Sequence, residues 1–240
     1  MILTEVKDKV TLVTMARPER ANALDAQHWS DLAAAVRAGT DRGARAMVIT
    51  GEGRTFCAGG DLNETNYAAL LAACDETLDA ITSAPSPVIA YVNGPAIGAG
   101  MQLAITCDLR VAEPSARFAF PAAAISRPVQ PTVIQRLAAV AGVGAARAFL
   151  LGGEQIDGER AHQIGLVDRL GELAVAVDWA HAISEYAPLV MEFLKQELLV
   201  ADATAQQRYE EFLDRLLASK DYAEAALAHQ EKRPPRFIGR

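Results

Sequence analysis

Residues 91–110 read YVNGPAIGAGMQLAITCDLR, and the fold follows from this stretch. The β-rich run Val88 to Val92 stops at Asn93-Gly94-Pro95, three turn formers in succession. Gly98-Ala99-Gly100 then opens an apolar, helix-forming segment that ends near Asp108. A strand, a glycine-rich loop and a helix start therefore follow one another. At a helix start the first backbone N–H groups lack intrahelical acceptors and lie at the positive end of the macrodipole, so they suit a developing negative charge. Small residues let a ligand approach that backbone closely. The dinucleotide fingerprint G-x-G-x-x-G is not met, because after Gly98 and Gly100 the next required glycine position is Leu103.

Upstream, the pattern occurs once more. Ala46 to Thr50 reads as a short buried strand ending in Gly51-Glu52-Gly53. The loop Phe56-Cys57-Ala58-Gly59-Gly60-Asp61 follows, and a helix is expected from Leu62 to about Thr82. Pro85 and Pro87 separate that helix from the strand at Val88. At the N-terminus, Ile2 to Glu5 and Val10 to Met15 form a hairpin about Asp8-Lys9, which Arg17-Pro18-Glu19-Arg20 breaks. Asp25 is the expected N-cap of a helix whose Trp29, Leu32, Ala33 and Val36 recur at helical spacing up to Gly39. Repeated β-α units predict an α/β fold with parallel strands joined by crossover helices.

Downstream, Arg110 to Ala112 and Arg117 to Phe120 are short strand candidates, and Pro121, Pro128 and Pro131 hold an irregular loop. Helices are expected over Gln135 to Ala141, Ala145 to Leu151, Glu159 to Ile164, Leu173 to Tyr186, Leu189 to Ala201, Thr204 to Leu217 and Tyr222 to His229. The only strand signal among them lies near Leu166 to Asp168. The expected division is a core over residues 1–171 and a helical region over 172–240, with no flexible linker between them. Helical tails of this kind pack on the core or on another subunit.

With 240 residues, 51% hydrophobic and 22% charged, the chain can bury one substantial core. A net charge of −7 and aromatics of only 6% argue against a nucleic-acid surface and against base-stacking platforms. Cys57, Cys74 and Cys107 are odd in number and show no C-x-x-C spacing, which fits a reducing compartment and gives metal binding no support. The N-terminus lacks an apolar leader segment, and no run approaches the length of a membrane span, so the expected location is the cytoplasm.

Six segments, taken in order, carry a resemblance. They are RPERANAL (Arg17 to Leu24), GEGRTFCAGGDL (Gly51 to Leu62), PVIAYVNGPAIGAGMQLAITCDLRVA (Pro87 to Ala112), QRLAAVAG (Gln135 to Gly142), IGLVD (Ile164 to Asp168) and EKRPPRF (Glu231 to Phe237). Through them the chain resembles the crotonase, or enoyl-CoA hydratase/isomerase, superfamily over nearly its whole length. The resemblance implies a spiral of repeated ββα units with a C-terminal helical trimerisation region, assembled as a homotrimer or a dimer of trimers. It also implies stabilisation of a thioester enolate.

Two glycine loops, each leading into a helix, could aim two backbone N–H groups at one carbonyl oxygen. The matched motifs put these oxyanion donors at Gly60 and Ala99. The resemblance further implies coenzyme A contacts at Arg20 and Ala21 on the adenine side, and at Ala58, Asp61, Leu62 and Gly98 near the thioester and pantetheine. Lys232 is implied to meet the phosphates from a neighbouring subunit. Coenzyme A enters as part of the ligand, with no separate cofactor and no metal. Asp61 and Asp108 read as structural caps. His28, His162, His181 and His229 fall in helical segments and carry no assigned role.

Hydratases of the superfamily carry two glutamates about the double bond, and the corresponding positions here are Gln102 and Ala122. An aspartate eight residues beyond, used by some isomerases and dehalogenases, is Gln130. A positioned acid or base contributes roughly a hundredfold to ten-thousandfold, so hydration should fall by orders of magnitude. The expectation is an acyl-CoA binder or carrier of fatty-acyl metabolism, similar to superfamily members without either glutamate. Ala122-Ala123-Ala124 would give it small apolar walls. The alternative is an enzyme acting on acyl-CoA thioester enolates, with Glu64 or a water held by Gln102 as proton carrier. A ligand-free scaffold would follow if Phe120 or Arg127 filled the pocket.

Overall fold

The chain opens on an exposed edge strand and a largely buried partner. In the computed structural model, which describes residues 1–125, 127, 129–199 and 205–240, Ile2–Lys7 (β1) pairs antiparallel with Val10–Met15 (β2). Asp8 makes the turn at φ 54°, a left-handed conformation that aspartate tolerates. The chain then crosses over through Ala26–Asp41 (α1), whose N-cap Asp25 accepts the His28 N–H, to reach Ala46–Gly51 (β3). A second crossover through Tyr67–Ser83 (α2) leads to Val88–Val92 (β4). Every residue of β3 and β4 is buried, because helices cover both faces of the sheet.

The third unit adds a strand to a second sheet before its helix. Pro95–Ile97 (β5) precedes Ala99–Thr106 (α3), which returns through Leu109–Ala112 (β6). Arg117–Ala119 (β7), Pro131–Leu150 (α4), Gln155–Asp157 (β8), Gly158–Gln163 (α5) and Arg169–Leu170 (β9) follow. The large sheet runs β1-β2-β3-β4-β6-β9 and is parallel from β2 onward, while the small sheet runs β5-β7-β8. One core, containing Trp29, Leu32, Met47, Ile81, Met101 and Phe118, fills the side of α1, α2 and α3. On the opposite face Leu173–Ser184 (α6) lays Ala176, Ala180 and Ile183 against Val48, Ile89 and Val111.

Pro188–Leu199 (α7), Ala205–Leu217 (α8) and Lys220–Glu231 (α9) complete the chain. The expected helix ends at Ala201 and Thr204 lie outside the described residues. A buried lysine anchors α7, since Lys195 Nζ lies 2.8 Å from Asp108 Oδ2 and donates to the carbonyls of Ile81 and Ser86 at 2.8 and 3.1 Å. Asp108 therefore works as the partner of a lysine and of the Val88 N–H, not as a helix cap.

Two other expectations are corrected: where the helix after the first glycine loop begins, and that no run approaches the length of a membrane span. The helix after the first glycine loop begins at Tyr67 rather than Leu62, because Asp61 turns the chain by accepting the Asn63 N–H and Asn66 caps the helix by accepting that of Ala69. The two helices expected on either side of Gly142 are both present within α4, separated at that glycine by a non-helical φ of 83° and ψ of 153°. At 20 residues and a mean hydropathy of 1.4, this α4 is also long and apolar enough to cross a membrane by length and composition. Val133, Leu137, Ala141, Ala146 and Phe149 nonetheless bury one side of it in the protein core.

Candidate functional site

The first glycine loop is held on both sides by backbone pairing. Cys57 bridges to Ala96 of β5, its N–H donating to Pro95 O and its carbonyl accepting from the Ile97 N–H, each at 3.0 Å. Gly60 bridges to Leu24: the Leu24 N–H donates to Gly59 O, and the Asp61 N–H donates to Leu24 O, each at 2.9 Å. In such a parallel bridge the central residue turns its own N–H to the far side. Among the described residues the Gly60 N–H finds no acceptor.

The second loop lies directly against the first. Gly98 adopts φ 56° and ψ −117°, and its N–H donates to Ala119 O at 2.9 Å. Ala99 is the first residue of α3, so its N–H has no intrahelical partner, and none is found elsewhere among the described residues. Gly59, at φ 100°, packs so closely on this helix start that a Cβ there would stand 3.3 Å from the Ala99 nitrogen and 2.8 Å from the Ile97 oxygen. The close packing explains a glycine at position 59.

Both loops open on a cavity of about 280 Å³. Its wall brings together most of the residues singled out in the sequence: Ala58, Gly60, Asp61, Leu62, Glu64, Gly98, Ala99, Gln102 and Ala122. Phe120 and Arg127 also line it and leave it open. Ala21 stands beside the first loop, its carbonyl accepting the Ala58 N–H at 3.0 Å, and Arg20 precedes it on an exposed turn. Lys232 caps α9 at φ 54° and is exposed; neither it nor Arg20 lines the cavity of its own chain.

The charged groups are tied into networks. Asp61 is held below the usual carboxylate range by the Asn63 N–H, against the opposing effect of burial, with further help from the Asn63 amide and Arg17. Glu64 lies in the turn before α2, not in a helix, and its Oε1 accepts the Asn66 N–H at 2.9 Å. The Gln102 side chain has no hydrogen-bond partner among the described residues and faces a wall in which Ala122 adds no polar group. Cys57 and Cys74 are buried thiols pushed up to about 12 by burial, so neither is a ready nucleophile.

Sequence reasoning missed one side of this cavity. Trp29 of α1 and the face Tyr67, Leu70, Leu71, Cys74 of α2 line it, as do Asp75 and Val129, beside Gln130, which the sequence had singled out. The α2 residues recur at i, i+3, i+4 and i+7, so helical spacing alone marked them as one face. What the spacing lacked was the partner of that face. Arg127 adds a contact across the opening, its guanidinium 4.4 Å above the Tyr67 ring.

The comparisons with known proteins agree with this architecture. The family model described as Enoyl-CoA hydratase/isomerase matches residues 5–240. A Mycobacterium tuberculosis protein named "Probable enoyl-CoA hydratase echA6" is 41% identical over 238 residues, covering 97% of each chain. The 2,3-dehydroadipyl-CoA hydratase of Escherichia coli is 33% identical over 255 residues, covering 100% of this chain and 99% of its own. Among solved structures, an enoyl-CoA hydratase from Bacillus anthracis superposes with a TM-score of 0.92 at 26% identity, covering 100% of this chain and 99% of that one. The chain belongs to the enoyl-CoA hydratase/isomerase family.

Proposed function

We propose that this protein binds acyl-coenzyme A thioesters of fatty-acyl metabolism and holds them without efficient hydration. The observation that carries the reading is the pair of unpaired N–H groups at Gly60 and Ala99, on two touching loops that open on one cavity. A thioester oxygen there would accept from both, and loss of one such donor costs roughly a hundredfold to a thousandfold in a reaction that builds charge on that oxygen. Gln102 and Ala122, at the positions of the superfamily's two glutamates, provide no group that exchanges a proton at neutral pH.

Coenzyme A would run from Ala58 and Leu62 at the thioester toward Ala21 and Arg20, with Lys232 of a neighbouring copy meeting its phosphates. That last contact goes with assembly of the C-terminal helices into a homotrimer or a dimer of trimers. Three free, buried cysteines accord with a cytoplasmic setting.

A second reading, an enzyme acting on acyl-CoA enolates, is favoured by one observation: Glu64 lines the same cavity. Calorimetric titration with a saturated acyl-CoA and its trans-2-enoyl counterpart, with parallel assay of enoyl hydration, separates the two. Tight binding of both without turnover supports the holder, and the Gln102→Glu/Ala122→Glu double variant should then gain hydration. Rapid loss of the enoyl absorbance in the parent, abolished by Glu64→Gln, would establish the enzyme instead.

A further inference from the structure

The acyl cavity does not end in the hydrophobic core. Asp75, from the middle of α2, accepts hydrogen bonds from Gln130 Nε2 at both carboxylate oxygens, at 2.9 and 2.8 Å. Gln130 stands immediately before α4, and its Oε1 accepts from Thr132 Oγ1 at 3.5 Å, which turns the amide nitrogen toward Asp75. Both residues line the acyl cavity, and both also line a second hollow of about 300 Å³ beside Leu78, Val133 and Arg136. The pair stands between the two hollows, with its hydrogen bonds exposed to solvent.

Its chemistry differs from the surfaces near it. Leu70, Leu71, Cys74 and Val129 offer a hydrocarbon chain apolar contact inside the cavity. A methylene pressed on Asp75 gains nothing comparable, since it would displace water from a carboxylate that has accepted only one amide nitrogen. The pair could not be read as such a stop from sequence neighbours, because Asp75 and Gln130 lie 55 residues apart.

We propose that Asp75 and Gln130 together determine acyl-chain length: the bonded pair ends the cavity, and a saturated chain long enough to reach it gains no further affinity. The inference rests on the acyl-thioester reading of the site. Removing either side chain joins the two hollows and gives a longer chain somewhere to go.

The test is the dissociation constant of the intact protein for saturated acyl-CoAs of increasing length, for the parent, Asp75→Ala and Gln130→Ala. In the parent, affinity should rise about fourfold per buried methylene and then level off. In each variant the levelling should move to longer chains by at least two carbons. A levelling point that stays at the same length in both variants overturns the length-limiting wall while leaving acyl-CoA binding intact. Absence of binding for every chain length in the parent overturns the acyl-thioester reading, and this inference with it. Two variants on different elements guard against misreading a local folding defect, since only the shared wall predicts the same shift from both.

Discussion

Arg17 Nη1 lies 2.9 Å from Asp61 Oδ2, which joins the turn before α1 to the residue that follows Gly60. The same nitrogen donates to Ala23 O at 3.0 Å and lies 3.5 Å from Asp25 Oδ2, whose other oxygen is 2.7 Å from His28 Nδ1. One guanidinium thus sets the position of the first glycine loop relative to α1.

Arg17→Met should lower stability by about 1.5–3 kcal/mol, the usual worth of a hydrogen bond to a charged group when both partners are largely shielded from water. The Arg17 and Asp61 side chains are 18% and 10% exposed. Because Asp61 adjoins Gly60, acyl-CoA affinity should weaken as well. Urea unfolding of parent and variant checks the first effect; an unchanged midpoint would show that the pair contributes nothing.

The acid limb of stability should depend on Asp61. Its carboxyl titrates below the ordinary value of 3.8, mainly because the ionised form accepts the Asn63 N–H. A depressed carboxylate contributes stability that is complete above its unfolded value and is lost as pH falls through its folded one. Asp25 acts in the same direction: burial opposes its ionisation, but the His28 N–H and ring and Arg17 outweigh burial. Melting temperatures taken from about pH 5 down to about pH 2 should therefore fall less steeply for Asp61→Asn than for the parent.

Lys195→Met should be among the most damaging single changes, costing about 3–5 kcal/mol, because it leaves Asp108 charged with no cation at the same place. Adding Asp108→Leu should not restore the parent's stability. The Val88 N–H, 2.7 Å from Asp108 Oδ2, would then lose its acceptor. A thermal unfolding series of the two single variants and the double variant measures both claims.

Gly98→Ala and Gly59→Ala separate backbone strain from crowding. At Gly98 an added Cβ meets nothing within 4 Å, so the cost is that of φ 56° alone, about 1–3 kcal/mol. At Gly59 the added carbon would crowd the Ile97 oxygen at 2.8 Å as well as carry φ 100°. Gly59→Ala should therefore destabilise more and lose more acyl-CoA affinity; equal losses from the two variants would contradict this packing of the loops.

The fold was legible because its repeating unit is local. Strand, glycine loop and helix start recur at Ala46 and at Val88, and Asp25 announces its helix by its own chemistry. Gln155–Asp157 was not legible, since three residues bounded by turns carry no periodicity and acquire strand character only by pairing with β7. The two glycine loops and Gln102, which share one cavity, could be picked out because they sit on ordered motifs. Asp75 could not, since its role as a cavity wall depends on Gln130, and the turn at 61–66 hid behind the helix-forming residues around it.

The three thiols also provide a clock for molecular opening. Cys57, Cys74 and Cys107 are all buried and pushed up to about 12, so at neutral pH almost none is present as the nucleophilic thiolate. An alkylating reagent added to the folded protein must wait for each site to be uncovered. Cys57 lies within the first glycine loop, Cys74 in α2 and Cys107 at the end of α3, so three modification rates time three motions of one chain. Ligand-dependent slowing at Cys74 and Cys57, with Cys107 unchanged, would record occupancy of the cavity without any label having been engineered in.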